Sequence, residues 1–217
     1  MKNNFSKVSE NSGIVTEYEA KCMLKSKGIT VPEGILVKDL PAKLSLKFPL
    51  VLKISSSTIL HKSDAGGVRL GIRDMEELRQ EFSDMKLKFP YSDFLIESMV
   101  GKGAEFIVGV VTDPVFGHMI MLGSGGIYTE LYGDVTFRKI PIDAIDAEDM
   151  ISDIKSGAFC EGFRGMQIDC KILADLLIRI SDIVLGLGKI DTMDLNPVIV
   201  DREKATVVDA KIRLTVT

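Results

Sequence analysis

The alternation of apolar and polar positions divides the chain into short amphipathic helices separated by β-rich runs. Thr16 and Glu19 form a capping-box pattern, and Ala20, Met23 and Leu24 then fall on one helical stripe as far as about Lys27. Gly28 ends that helix and Pro32 prevents its resumption. Pro49-Leu-Val-Leu-Lys-Ile54 reads as a buried strand, Thr58 to Gly67 as a polar loop, and Val68 to Ile72 as a short strand. Asp74 with Glu77 caps a helix whose apolar line is Met75, Leu78, Phe82 and Met85. Phe94 to Ile96 is strand-like, while Glu105 to Val111 and His118 to Leu122 flank the turn Asp113-Pro-Val-Phe-Gly117. Val135 to Ile140 predicts a strand and Asp146 to about Lys155 a short helix. Asp169 to Leu185 predicts a longer helix whose broad apolar face includes Leu173, Leu176, Leu177, Ile180 and Val184. Helices interleaved with hairpins, without a regular βαβα order, predict an α+β fold.

The last stretch carries the most chemistry. Two apolar runs flank the polar tetrad Asp201-Arg202-Glu203-Lys204, a hairpin signature. With the tetrad as the loop, Val200 pairs with Ala205 and Asn196 stands opposite Asp209. Asp194 shares the face of Asn196 because side chains alternate along a strand. Two carboxylates and an amide carbonyl, with no imidazole or thiol beside them, suit a hard cation such as Mg²⁺. A solvated hairpin face collects polar residues as well, and Pro197 allows a slip of one residue that would throw Asp209 to the other face.

Composition removes several function classes. The 217 residues are 46% hydrophobic and 27% charged, ordinary for a globular chain, and the net charge of -4 excludes a molecule built throughout as a polycation for nucleic acid or anionic lipid. The first residues have no apolar core for a signal peptide, and no apolar run approaches the roughly 18 residues of a membrane span. No nucleic-acid partner, no membrane and a cytoplasmic location are the expectations. Cys22, Cys160 and Cys170 are odd in number and lack metal-ligand spacing, so they read as small buried hydrophobes rather than disulfide or zinc ligands.

Lys53 sits in an otherwise apolar strand and must either snorkel out or meet an anion such as a polyphosphate. His61, flanked by Lys62 and Asp64 and followed by Gly66-Gly67, is a loop imidazole placed as a phosphoryl acceptor or as a plain surface residue. His118 opens an apolar strand and reads as structural. Gly123-Ser-Gly-Gly126 brings the amides of Gly125 and Gly126 close to a ligand or simply bends the chain; it has neither the Lys-Ser/Thr end of a P-loop nor the setting of a dinucleotide fingerprint. Glu130 and Arg138 are charged residues downstream of it, and Arg138 offers phosphate a guanidinium unless it is an exposed strand residue. Glu97, before a Gly-Lys-Gly turn, lies where a hinge offers adenine backbone groups and a carboxylate, with Glu105 following; either is otherwise a solvated acid. One strand lysine, glycine loops, an arginine and a metal-suited face together describe charge neutralisation for phosphoryl transfer.

These strings resemble a known family. Phe48-Pro-Leu-Val-Leu-Lys53, Ile59-Leu-His-Lys-Ser-Asp-Ala-Gly-Gly-Val68, Gly123-Ser-Gly-Gly-Ile127, Phe163-Arg-Gly165, Asp194-Leu-Asn-Pro197 and Val208-Asp-Ala-Lys211 are similar to the beta subunit of ADP-forming acetyl-CoA synthetase (acyl-CoA synthetase, NDP-forming). That family is of the ATP-grasp type and related to the beta subunit of succinyl-CoA synthetase. The resemblance spans about Ile14 to Leu214 and implies two lobes, 14–96 and 97–217, with a nucleotide cleft between them; the first helix belongs with either. It implies Lys53 on the phosphates of ATP or ADP, Glu97 and the segment Ser98, Met99, Val100 at adenine, and Glu105 in the cleft. It also implies Asn196 and Asp209 as Mg²⁺ ligands, and Asp194 in place of a glutamate that steadies a phosphohistidine. His61 is implied to be phosphorylated in turn, relaying phosphate from a histidine on a partner α subunit that carries the CoA-binding domain, in an α2β2 assembly. The implied reaction is acyl-CoA + ADP + phosphate ⇌ organic acid + CoA + ATP. A standalone ATP-grasp ligase using an acyl-phosphate, and a regulatory nucleotide-binding module, are the rival readings.

Overall fold

The computed structural model of the chain describes residues 13–56, 59, 62–126 and 133–215. Two compact units form: the smaller comprises Thr16–Tyr18 and Pro32–Gly101, the larger Glu19–Val31 and Lys102–Thr217 together with strand β1 (Ile14–Val15). The smaller unit therefore runs to Gly101 instead of stopping at 96, because its last strand continues and the Met99 amide donates to the Pro49 carbonyl at 2.9 Å. Helix α1 (Glu17–Ser26) has only its first turn in the smaller unit; Ala20, Met23 and Leu24 join the core of the larger.

In the smaller unit, β2 (Gly34–Val37), β3 (Leu50–Ser55), β4 (Val68–Ile72) and β5 (Asp93–Ser98) form an antiparallel sheet in the order β2-β5-β3-β4. Helix α2 (Met75–Lys88) is started by the Asp74 side chain, which accepts from the amides of Glu76 and Glu77, and it buries Leu78, Phe82 and Met85. These meet Leu50, Leu52, Ile54, Phe94 and Ile96, with the Phe82 and Phe94 rings 4.8 Å apart. Each such side chain contributes about 1.5–3 kcal/mol by its removal from water. Since strand side chains alternate, Leu50, Leu52 and Ile54 toward this core put Val51, Lys53 and Ser55 on the opposite face of β3.

The larger unit is a sheet of β1, β6 (Ala104–Asp113), β7 (Gly117–Ser124), β8 (Val135–Lys139), β9 (Ile190–Val200), β10 (Ala205–Val207) and β11 (Ala210–Leu214). Its order is β1-β11-β9-β6-β7-β8, with β10 also on β9. Helices α3 (Ala144–Asp153) and α4 (Cys170–Leu187) share a core with Phe106, Val108, Val110, Ile120, Leu122, Met193 and Leu195. Helix α3 begins at Ala144, earlier than the pattern predicts, because Asp143 is its N-cap and Asp146 supplies the reciprocal carboxylate of the capping box. It also stops at Asp153, and a 3-10 helix covers Lys155–Cys160. Helix α4 runs from the Asp169 cap to Gly188, whose φ of 58° is the left-handed conformation glycine tolerates.

Strands β1 and β2 are too short to show alternation, and the sequence reading passes over both. The cysteine expectation is corrected. Cys160 and Cys170 form a disulfide with their Cα atoms 5.5 Å apart, closing the loop that holds Phe163-Arg164-Gly165, while Cys22 is free and exposed. The sequence shows no reason for this pairing, because the 3-10 turn and the start of α4 that bring the two together are tertiary features.

Candidate functional site

In the smaller unit the strand lysine meets anions. Lys53 Nζ donates to Glu17 Oε1 at 2.6 Å and lies 3.2 Å from Glu97 Oε2. Lys62 donates to the other Glu17 oxygen. All four side chains are buried, their exposures running from 2% to 7%. Lys53 does not snorkel to solvent; its ammonium meets carboxylates of its own chain, and ammoniums in such a place need opposite charge at contact. Lys53 arrives from β3, Glu97 from the neighbouring β5 opposite Val51, and Glu17 from the first turn of α1. Glu97 also lies over Gly34 of β2, where a Cβ would meet Glu97 Cγ at 2.7 Å.

The Glu97 carboxylate is turned to Lys53. The amide of Ser98 donates to the Glu33 carbonyl and that of Met99 to Pro49, both at 2.9 Å. Met99 is exposed and Val100 half-buried. Glu17 and Lys62 had no assigned role. The signal for them was available: a lysine inside an apolar strand requires a carboxylate from elsewhere in the chain.

In the larger unit the hairpin register is the expected one. Ala205 pairs with Val200, Thr206 with Ile199 and Val207 with Val198, and Lys211 stands opposite Asp194. Between these ladders the Asn196 amide donates to the Asp209 carbonyl at 3.2 Å. Met193 and Leu195, with their partners Ile212 and Ala210, are buried under the helices, so Asp194, Asn196, Asp209 and Lys211 project from the open face. Pro197 does introduce an irregularity, but on the β6 side: the β9–β6 register shifts between Phe106 and Val108, and the buried set of β9 moves on to Val198 and Val200. The register of β9 with β10 and with β11 is the same on either side of Pro197, and the β9–β11 ladder shifts only at its far end, between Arg213 and Leu214.

Asp194 lies 3.9 Å from Lys211, and burial pushes its carboxyl above the usual range, with Asp209 raising it further and Lys211 opposing. Gly109 is opposite Asp194 on β6, Met121 opposite Gly109 on β7, and Phe137 opposite Met121 on β8. One cross-strand row on the open face therefore runs from apolar Phe137 and Met121, over a side-chain-free glycine, to Asp194 and Lys211. Glu105 shares that face and is exposed. No cluster of three or more His, Cys, Asp or Glu side chains suited to a metal occurs among the described residues. Two carboxylates and an amide oxygen nonetheless fit Mg²⁺, which takes one or two protein carboxylates and completes its shell with phosphates and water.

Residues 6–214 match the ATP-grasp domain. The chain belongs to the ATP-grasp family. It is 43% identical to the beta subunit of acetate–CoA ligase [ADP-forming] II of Pyrococcus furiosus, over 92% of this chain and 91% of that one. Acetate–CoA ligase [ADP-forming] I of Archaeoglobus fulgidus is 38% identical over 96% of this chain, which matches 32% of that longer protein. Among solved structures, one similar chain is dinucleotide-forming acetyl-coenzyme A synthetase 1 of Ca. Korarchaeum cryptofilum with coenzyme A and Mg-AMPPCP. That structure has its phosphohistidine segment pointing towards the nucleotide binding site. The TM-score is 0.84 at 38% identity, covering 93% of both chains.

The remaining expectations for this ATP-grasp chain divide. Arg138 pairs with Ile120, a core residue, so it faces the helix layer and not the Asp194 face. There its guanidinium lies 2.8 Å from Asp153 of α3 and 3.0 Å from Thr136. The Arg138 hydrogen bond first, and then one from the Thr136 hydroxyl at 2.9 Å, hold the Asp153 carboxyl below its ordinary range. Gly125 lies against the backbone of β6. Its amide donates to the Glu105 carbonyl at 2.7 Å, and a Cβ would meet that backbone at 2.4 Å, so this glycine allows two backbones to touch. Gly126 has a φ of 89°, a bend reserved for glycine. His118 is hydrogen-bonded to Thr112 at 3.0 Å. His61 and Glu130 lie outside the described residues. A cleft of about 850 Å³ opens elsewhere in the larger unit, lined by Lys102, Arg164, Gln167 and Arg202 among others.

Proposed function

We propose that the chain is the nucleotide-binding β subunit of an ADP-forming acyl-CoA synthetase, transferring phosphate from phosphohistidine to ADP. The open face of the larger unit carries this reading: Asp194, Asn196 and Asp209 project together beside an apolar row, as a nucleotide with a metal-bound phosphate requires. Asn196 and Asp209 hold Mg²⁺, which neutralises phosphate charge when bound. Lys53 supplies a fixed positive charge to the phosphates, and Asp194 steadies the incoming phosphohistidine. Met121, Phe137 and Glu105 are the side chains that face the rest of the nucleotide.

The partner is an α subunit with the CoA-binding domain and a second phosphorylated histidine, in an α2β2 complex. The long Archaeoglobus relative supports this, since two thirds of it lies outside the part matched by this chain. Acyl-CoA and phosphate react on that partner, and His61 relays the phosphoryl group. No helix among the described residues is long and apolar enough to cross a membrane.

Incubation with γ-³²P-ATP, with partner present, tests the relay. Acid-labile, base-stable label that disappears in His61→Ala is expected, and its absence from an active complex rejects the relay. Asp209→Asn should raise the Mg²⁺ concentration for half-maximal labelling at least tenfold, on the order of what a lost carboxylate ligand costs. An unchanged Mg²⁺ requirement removes Asp209 from the metal site.

A further inference from the structure

Glu17 touches two buried lysines, Lys53 and Lys62. Its Oε1 takes Lys53, 36 residues away in sequence, and its Oε2 takes Lys62, 45 residues away. Lys62 anchors the end of the segment after His61, so a single carboxylate connects the strand lysine to that segment. Stability alone explains this poorly: buried ion pairs can commonly be replaced by apolar groups of similar volume with little loss, so their value lies in fixing geometry. A lysine stem has four rotatable bonds and loses much entropy when it meets a ligand; a carboxylate at 2.6 Å removes that freedom beforehand.

We propose that Glu17 is a positioning residue for the nucleotide's phosphates, holding the Lys53 ammonium in place. The inference rests on the reading of Lys53 as a phosphate-binding lysine. It requires that Glu17 act on the phosphate part of the ligand and not on the nucleoside part. A brace that served only folding would weaken both parts equally.

The test compares ADP with adenosine, each displacing a fluorescent ATP analogue from the full chain in Mg²⁺. Glu17→Leu combined with Lys62→Met replaces one buried pair by apolar side chains and leaves Lys53 with Glu97, preserving charge balance. The expected result is a melting temperature at or above that of the parent, with the preference for ADP over adenosine reduced at least tenfold. Lys62→Met alone, in which Glu17 still holds Lys53, should keep the preference within about threefold. A stable double variant with the parent's preference overturns the inference, and so does a single Lys62→Met that accounts for the whole loss. Lys53→Met isolates the underlying reading: if it keeps the full ADP preference, Lys53 does not bind phosphate, whatever Glu17 does.

Discussion

Gly34→Ala tests whether the packing of β2 on β5 holds Glu97 against Lys53. The added Cβ would lie 2.7 Å from Glu97 Cγ, 3.1 Å from the Ile96 carbonyl oxygen and 3.4 Å from Glu97 Oε1. The first distance is far inside van der Waals contact, so either β2 separates from β5 or the Glu97 side chain turns. Turning moves its carboxylate off Lys53, now 3.2 Å away, inside a set of buried charges. Overpacking costs about 1–3 kcal/mol, while replacing a strand glycine returns about 0.5–1 kcal/mol. Weakening a partner of a buried lysine adds up to about 3 kcal/mol. The net expectation is a loss of about 2–4 kcal/mol from the smaller unit, or roughly 5–12 °C for a chain of this size.

The assay is a double-mutant cycle on unfolding, with Glu97→Ala as the second change. Removing Cγ takes away the atom that the methyl group strikes, and Glu17 still holds Lys53. In that background Gly34→Ala should cost less than about 1 kcal/mol, a coupling well outside additive error. An equal cost in both backgrounds would show that the strain falls on the β2 backbone, and the link from Gly34 through Glu97 to Lys53 would fail.

Two further outcomes follow from the larger unit. Reducing the Cys160–Cys170 bridge, with a sequence separation of 10, or replacing both residues by Ser, should cost roughly 2–3 kcal/mol on the loop-entropy account. Coincident urea curves with and without reductant would contradict it. Arg138→Ala should move the Asp153 carboxyl midpoint upward in a ¹³C titration, since Arg138 is the largest cause of its depression. The folded value lies below the unfolded one, so the stabilisation is complete above the ordinary carboxylate pKa and is lost as pH falls through the depressed value. An unmoved midpoint would mean that the guanidinium does not hold Asp153.

What the sequence disclosed depended on how far each partner lies along the chain. The Asn196–Asp209 register was legible because a polar tetrad sets the loop and a period of two carries the pairing outward, each step depending on the last. The α2 and α4 caps were legible for the same reason, since Asp74 and Asp169 serve amides a few residues on. Arg138 shows where such reasoning stops. Alternation establishes that it opposes Thr136's neighbours and shares Thr136's face, but the face that α3 and α4 cover is settled only when the helices dock. Arg138 and Asp194 thus look alike as charged strand residues and end on opposite sides of one sheet. Lys53 carried half of its own answer. Its apolar neighbours demanded a counter-charge, yet Glu17 and Glu97 come from the first turn of a helix and from a strand formed much later. A buried charge therefore announces that a partner exists without naming it, and in this chain the unnamed partner, Glu17, also takes up Lys62 beside His61.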